Sequence, residues 1–163
     1  MKRIHGGNVA AEVRKSGTAD HSLFDFSASI NPLGPPSWFR QLVNRNLETV
    51  GYYPDPENQN FRQAAARFHG VPSERIVTGN GASEIIFALP RIRRIQHAII
   101  PGPAYGDYRH ACLAAGVTTT MYDLNVDEGF RLDFDVLESH IVKSAGARLI
   151  VWLGQPGNPT GII

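Results

Sequence analysis

The sequence has little cysteine, little lysine and no marked excess of charge of either sign. Cys112 is the single cysteine in 163 residues, so an intrachain disulfide is excluded, and we expect its thiol to be a buried small apolar group. A formal net charge of +1 gives no electrostatic reason to expect a nucleic-acid or membrane partner. No apolar run is long enough to span a bilayer and no signal peptide is apparent, so we expect a cytoplasmic protein.

Several common kinds of catalytic site are also poorly supported. The six histidines show no His-x-x-x-His spacing, and we predict no metal site. No Gly-x-Ser-x-Gly elbow is present, which disfavours a serine hydrolase of the α/β type. Gly79-Asn80-Gly81 lacks the third glycine of a dinucleotide-binding fingerprint.

Strand and helix patterns alternate from about residue 75 onward. This alternation predicts an α/β fold with an incomplete, doubly wound, mainly parallel sheet. Pro90 is predicted to stop one helix, and Asp135 to start another. We assign residues 1–50 to an arm and small-domain segment, and residues 51–163 to the amino-terminal part of a larger domain. The predicted elements are strands at 75–78, 97–100, 117–124 and 148–153, and helices at 37–48, 57–70, 82–89, 105–115 and 135–144.

A glycine-rich loop, Thr78 to Glu84, joins a predicted strand to a predicted helix. Its two glycines let a ligand approach the backbone closely, and the helix start offers unpaired N–H groups and a positive dipole end. The Ser83 hydroxyl adds a further donor. These features are typical of a phosphate cradle, although a tight turn with Ser83 as a helix cap explains the loop equally well.

Two further loops follow predicted strands and carry side chains suited to a flat ligand. Tyr105 has an aromatic ring that can stack on a heterocycle, and the Asn158 amide can both donate and accept a hydrogen bond. Taken singly, an ordinary core tyrosine and a structural Asn-Pro turn remain open. Three such loops at the carboxyl edge of one parallel sheet favour a shared ligand site.

These loops, in this order, resemble the fold-type I pyridoxal-phosphate enzymes of the aminotransferase class I/II superfamily. The segments His5–Asn8 and Asp25–Gly34 are similar to the opening of the threonine-phosphate decarboxylases of cobalamin biosynthesis. Tyr53-Pro54-Asp55 is similar to a segment shared with the histidinol-phosphate aminotransferases. The resemblance implies decarboxylation of L-threonine O-3-phosphate to aminopropanol phosphate in the complete enzyme, or alternatively a histidinol-phosphate-type transamination.

The resemblance also assigns roles to residues around bound pyridoxal phosphate. Tyr105 would stack on the pyridine ring. Asn158 would hydrogen-bond its phenolic oxygen, beside the substrate. Tyr53 would reach the cofactor phosphate of the neighbouring subunit in a homodimer. The cofactor phosphate itself would be held largely by backbone N–H groups of Gly81, Ala82 and Ser83.

Substrate contacts are implied for residues near the amino terminus. His5 and Gly6 would lie over the phosphate or carboxylate of a small phosphorylated amino-acid substrate. Ser29 would also face the substrate, at a position where the decarboxylases usually carry asparagine. A serine hydroxyl is shorter than an asparagine amide, so it reaches less far toward the substrate.

Three catalytic groups of the family belong downstream of the Asn158 loop: the Schiff-base lysine, the aspartate on the ring nitrogen and the arginine on the substrate carboxylate. The chain's three lysines, Lys2, Lys15 and Lys143, do not match the family lysine's place. We therefore expect a fragment with no catalytic residue of its own, inactive alone and with weak or absent cofactor binding. A non-catalytic truncated remnant and one half of a split enzyme are the alternatives.

Overall fold

The computed structural model describes residues 7–17 and 24–162, and the chain divides into two compact units, Met1–Val77 and Thr78–Ile163. The described part of the first unit is helical. Its elements are helices α1 (Val9–Ser16), α2 (Ser37–Asn46) and α3 (Gln59–His69), with short 3₁₀ helices at Leu47–Gly51 and Ser73–Arg75. The predicted domain boundary near residue 50 stays a prediction.

Local capping explains where the helices of the first unit begin and end. The Asn8 side chain accepts a hydrogen bond from the Ala11 N–H (3.2 Å), and Gly17 closes α1 in the left-handed conformation (φ 67°). The sequence did not predict α1, which lies in the segment assigned to an arm. Gly70 closes α3 in the same way (φ 65°), which confirms the predicted end of that helix.

The second unit alternates helices and parallel strands, as predicted. Its elements are α4 (Ala82–Ile92), β1 (His97–Gly102), α5 (Gly106–Ala114), β2 (Thr118–Asp123), α6 (Phe134–Lys143) and β3 (Leu149–Val151). The sheet order is β2-β1-β3, and both strand pairs are parallel. In register, Ile99 of β1 lies opposite Thr120 on one side and Val151 on the other.

The core surrounds β1, because this strand is covered by both neighbouring strands and by helices. Ala98 and Ile100 pack with Cys112 of α5 and Ile86 of α4 on one face. Ile99 points to the opposite face, since side chains alternate along a strand. On that face the Tyr122 ring of β2 stacks on a histidine ring of α6, with centroids 4.6 Å apart. Helices thus cover both faces of the sheet.

Three predicted details are wrong. Residues 75–78 do not form a strand: Ser73–Arg75 is a 3₁₀ turn, and no strand among the described residues lies beside 76–78 to supply a hydrogen-bonded partner. Pro90 lies inside α4 rather than ending it; it is fully buried, and its carbonyl accepts from the Ile95 N–H (3.0 Å). Asp133, not Asp135, caps α6. Its carboxylate accepts hydrogen bonds from the N–H groups of Asp135 and Val136.

Candidate functional site

A cavity of about 520 Å³ opens beyond the carboxyl ends of β1 and β3. Strand-end loops form it, because parallel strands deliver their following loops to the same edge of a sheet. The residues that line it come from the three loops after the strands, from the end of β1 and from the first turns of α5 and α6. They are Pro101, Pro103, Ala104, Tyr105, Tyr108, Leu124, Phe130, Arg131, Leu132, Phe134, Trp152, Leu153, Gly154, Gln155, Gly157, Asn158, Thr160 and Ile162.

Aromatic side chains form one wall of this cavity. The Tyr105 and Tyr108 rings meet edge to face with centroids 5.7 Å apart, and Tyr108 stacks on Trp152 at 4.9 Å. Trp152 is buried, and its indole Nε1–H donates to the Sγ of Cys112 (3.3 Å). Burial raises the pKa of the Cys112 thiol, which the hydrogen bond from Trp152 opposes, so this sulfur is a packing group as predicted. The wall is therefore anchored in the core.

Three oxygen atoms link Tyr105 to the glycine-rich loop. The Asp107 carboxylate accepts hydrogen bonds through its Oδ2 atom from the Ser83 hydroxyl (2.5 Å) and the Tyr105 hydroxyl (3.1 Å). The two hydroxyl oxygens lie 3.3 Å apart. Asp107 lies in the first turn of α5 and has no exposed surface. The positive end of the helix dipole and the two donors stabilise this buried charge.

The glycine-rich loop keeps its backbone open at the start of α4. Gly81 is the residue before the helix and has a positive φ of 85°, which glycine adopts without steric cost. Apart from its own backbone and adjacent residues, no described part of the chain lies within 4 Å of the position that a Cβ would take on Gly81. The exposed Glu84 carboxylate accepts from the Asn80 N–H (2.5 Å), so an anionic oxygen already contacts this loop.

The loop after β3 folds tightly on itself. The Gly157 N–H donates to the carbonyl of Ile162 and the Gly161 N–H donates to the carbonyl of Gly157, both at 2.7 Å. A Cβ on Gly157 would lie 2.5 Å from the Thr160 hydroxyl, so a side chain here would require Thr160 to move. Within residues 7–17 and 24–162, the Asn158 side chain makes no hydrogen bond with another residue. Its amide lines the cavity with donor and acceptor both available to a ligand.

The structure brings some of the predicted site residues together and leaves others apart. Ser83 meets Tyr105 through its hydroxyl, and Tyr105 shares the cavity with Asn158. Gly81, Ala82 and Ser83 lie together at the start of α4, and none of the three is among the residues that line the cavity.

The remaining predicted site residues belong to the first unit. Tyr53 and Ser29 are both exposed there. His5 and Gly6 lie outside the described residues.

Sequence reasoning missed three residues that shape this site: Asp107, Tyr108 and Trp152. Asp107 offered one signal, since an acidic residue in a first helical turn is common, but nothing in the sequence indicated its burial. Trp152 was predicted to lie in a strand, yet its contact with Tyr108 depends on how β3 sits beside β1.

Comparison with known proteins identifies the family. The family model described as aminotransferase class I and II matches residues 22–163. The chain belongs to this family. The resemblance stated from the sequence is therefore confirmed, and the α/β fold class agrees with that of solved aminotransferases.

Relatives carry two kinds of name. The chain is 35% identical over 158 residues to the adenosylcobalamin biosynthesis bifunctional protein CobDQ of Leptospira interrogans, covering 97% of the chain and 18% of that protein. It is 33% identical to the threonine-phosphate decarboxylase of Salmonella typhimurium, covering 98% of the chain and 43% of that protein. The histidinol-phosphate aminotransferase of Clostridium acetobutylicum is similar in structure, with a TM-score of 0.71 and 30% identity over 84% of the chain and 39% of that protein. The chain spans less than half the length of each.

Residues 7–17 and 24–162 contain neither a membrane-spanning helix nor a cluster of metal-binding side chains. No helix there combines the length and the apolar composition needed to cross a membrane. No group of three or more histidine, cysteine, aspartate or glutamate side chains is placed there to hold a metal ion.

Proposed function

We propose that this chain supplies the amino-terminal part of a pyridoxal-phosphate enzyme that decarboxylates L-threonine O-3-phosphate to aminopropanol phosphate in cobalamin biosynthesis. The proposal depends on one observation above all. Tyr105 lines the cavity together with Asn158, and its hydroxyl lies 3.3 Å from the Ser83 hydroxyl of the glycine-rich loop. This arrangement supports a single site made of a ring platform, a ring-directed amide and an anion-binding loop.

The residues present fit pyridoxal phosphate. Gly81 leaves open space where a side chain would stand, at a helix start whose N–H groups and dipole favour a phosphate. The cavity of about 520 Å³ has an aromatic wall and few polar groups, as is typical of a site for a small planar ligand. The Glu84 carboxylate must leave the Asn80 N–H, or tolerate the phosphate nearby, for the loop to bind an anion.

The proposed site residues of this chain bind or orient the cofactor. The backbone N–H groups of Gly81, Ala82 and Ser83 bind the phosphate, Tyr105 supports the ring face, and the Asn158 amide hydrogen-bonds the ring's phenolic oxygen. Pyridoxal phosphate, when bound, supplies the electron sink that decarboxylation of an amino acid requires. The lysine, aspartate and arginine of the family site belong to sequence beyond the Asn158 loop.

Substrate and partner contacts are assigned to the first unit. His5, Gly6 and Ser29 bind the phosphorylated amino acid, and Tyr53 reaches the cofactor phosphate of the second subunit of a homodimer. The side chain of Tyr53 is fully exposed in this chain, as a residue that serves a neighbouring subunit would be.

A histidinol-phosphate-type aminotransferase is the second candidate. The Tyr53-Pro54-Asp55 segment is compatible with both activities, and a relative of that name is 30% identical with a TM-score of 0.71. Support for the decarboxylase comes from the CobDQ and threonine-phosphate decarboxylase relatives, at 35% and 33% identity.

Calorimetric titration with substrate–cofactor conjugates tests the proposal on the chain itself. In these compounds a secondary amine joins the phosphopyridoxyl group to threonine phosphate or to histidinol phosphate, so no Schiff-base lysine is needed. Binding by this chain should be weak, because the family's lysine, aspartate and arginine are not among its residues. We expect the threonine-phosphate conjugate to bind about tenfold more tightly than the other, equivalent to about 1.4 kcal/mol. Substitution Asn158→Ala should weaken both conjugates equally, because it removes a contact to the shared ring.

The matched control is Asn60→Ala, which removes an exposed amide of α3 outside the residues that line the cavity. It should change neither affinity. Tighter binding of the histidinol-phosphate conjugate would favour the aminotransferase, and binding of neither conjugate would contradict a pyridoxal-phosphate site in this chain.

A further inference from the structure

Asp107 is the one buried charged residue of the described chain, and its place beside the proposed cofactor site is informative. A carboxylate without solvent contact is costly unless hydrogen bonds satisfy it. Here the donors include the hydroxyls of Ser83, at the start of α4, and Tyr105, in the loop after β1. Asp107 therefore joins the glycine-rich loop to the ring platform.

A role in stabilising α5 alone does not account for this arrangement. Acidic residues in the first turns of α4 and α6, Glu84 and Asp135, serve the same electrostatic purpose while remaining exposed. Asp107 instead has a buried side chain, although a favourable interaction with the helix dipole does not require burial. The burial places one acceptor atom within reach of both hydroxyls.

We propose that Asp107 is a positioning residue of the pyridoxal-phosphate site: its carboxylate fixes the Tyr105 ring and the Ser83 side chain relative to each other, so that the ring platform and the phosphate loop are held at the spacing of one cofactor molecule. This inference rests on the proposed function. It also assigns the Ser83 hydroxyl proton to Asp107, which leaves the phosphate to the backbone N–H groups at the start of α4.

The test measures binding of 4′-deoxypyridoxine 5′-phosphate, an analogue that has the ring and the phosphate but no aldehyde, by titration calorimetry. Its near-ultraviolet circular dichroism when bound reports how the ring is held. Asp107→Ala should weaken binding at least tenfold and reduce the induced signal. Asp107→Asn keeps an acceptor oxygen at the same place, so it should remain within about threefold of the unmodified chain.

A double-substitution cycle makes the link to Tyr105 specific. Tyr105→Phe keeps the ring but removes the hydroxyl that Asp107 holds, so it should weaken binding in the unmodified chain and add nothing further in the Asp107→Ala background. Asp135→Ala is the matched control, because it removes an exposed first-turn aspartate from another helix and should leave binding unchanged.

Four outcomes would overturn the inference. These are equal weakening by Asp107→Asn and Asp107→Ala, tighter binding in both, unchanged binding in Asp107→Ala with only a lower melting temperature, and additive effects in the cycle. In each of these the unmodified chain still binds the analogue, so the proposed function survives. An unmodified chain that does not bind the analogue would overturn the proposed function, and this inference with it.

Discussion

Individual polar groups in this chain differ sharply in how well the fold satisfies them. The Asp107 carboxylate is buried and accepts two hydroxyl hydrogen bonds. The Tyr122 hydroxyl oxygen is also buried but has no hydrogen-bond partner among the described residues. An unsatisfied buried hydroxyl costs free energy that its ring stacking and apolar packing must offset. The carboxylate is therefore stabilised by its partners, and the unpaired hydroxyl lowers the stability of the fold slightly.

Replacing Tyr122 with phenylalanine should therefore not destabilise the chain. Tyr122→Phe keeps the ring that stacks on His140 and removes the unpaired oxygen. We expect the free energy of unfolding to stay the same or to rise by about 1 kcal/mol. Urea unfolding at neutral pH measures the change, and Tyr52→Phe, which alters an exposed tyrosine, is the control.

The same substitution should change how stability responds to alkali. Burial, with a smaller contribution from the Asp133 carboxylate, raises the pKa of Tyr122 above its ordinary value of 10.0. The folded state then keeps its proton at a pH where the unfolded state loses it. The contribution to stability is complete below about pH 10 and is lost as pH rises through the folded pKa. Tyr122→Phe should lose stability less steeply above about pH 10, and an identical slope would contradict this assignment.

Residue types in strand-end loops could be predicted from the sequence, but their contacts could not. Gly81, Tyr105 and Asn158 were selected for their chemistry and their place after predicted strands. The buried position of Asp107 depends on the packing of α5 against α4, which no local pattern records. The sequence likewise gave no sign that Glu84 would contact the loop proposed for phosphate.

At the scale of elements, β1 is the structural centre of the second unit. Its residues from Ala98 to Gly102 are all buried, and it is paired on both edges. Strand β3 is shorter and only half-buried. The periodicity of the sequence predicted that these strands exist. It wrongly predicted that Pro90 would end α4 and that residues 75–78 would form a strand. The burial of Pro90 decides the first case, and the second depends on a partner strand that the described residues do not supply.

Shortening a side chain of the central strand should lower the free energy of unfolding far more than the same substitution on a helix surface. Ile99 is fully buried, whereas Ile92 at the end of α4 is 72% exposed. Ile99→Ala should lower the free energy of unfolding by about 2–5 kcal/mol, because it leaves a cavity in a packed core. Ile92→Ala should change it by less than about 0.5 kcal/mol.

Equilibrium denaturation by urea, followed by far-ultraviolet circular dichroism, compares these two isoleucine variants. Equal losses of stability would mean that β1 is not the structural centre that its burial indicates. A large loss in Ile92→Ala alone would instead place the critical packing at the end of α4.

At the scale of the whole molecule, the two units differ in how much they bury. In the described part of Met1–Val77 only Ala66 is buried. Thr78–Ile163 contains the hydrophobic cluster around β1 and the candidate cavity. Apolar burial is the main favourable term in folding, so its uneven distribution implies uneven local stability.

Amide hydrogen exchange should show this difference directly. We expect the slowest amides in β1 and in α5, where backbone hydrogen bonds lie beside buried side chains. Amides of α2 and α3 should exchange at least tenfold faster, because few buried apolar contacts oppose local opening of those helices. Peptide-level mass spectrometry after timed labelling gives the rates. Equal protection in α3 and β1 would contradict this expectation. It would mean that something other than apolar burial inside the first unit stabilises α3.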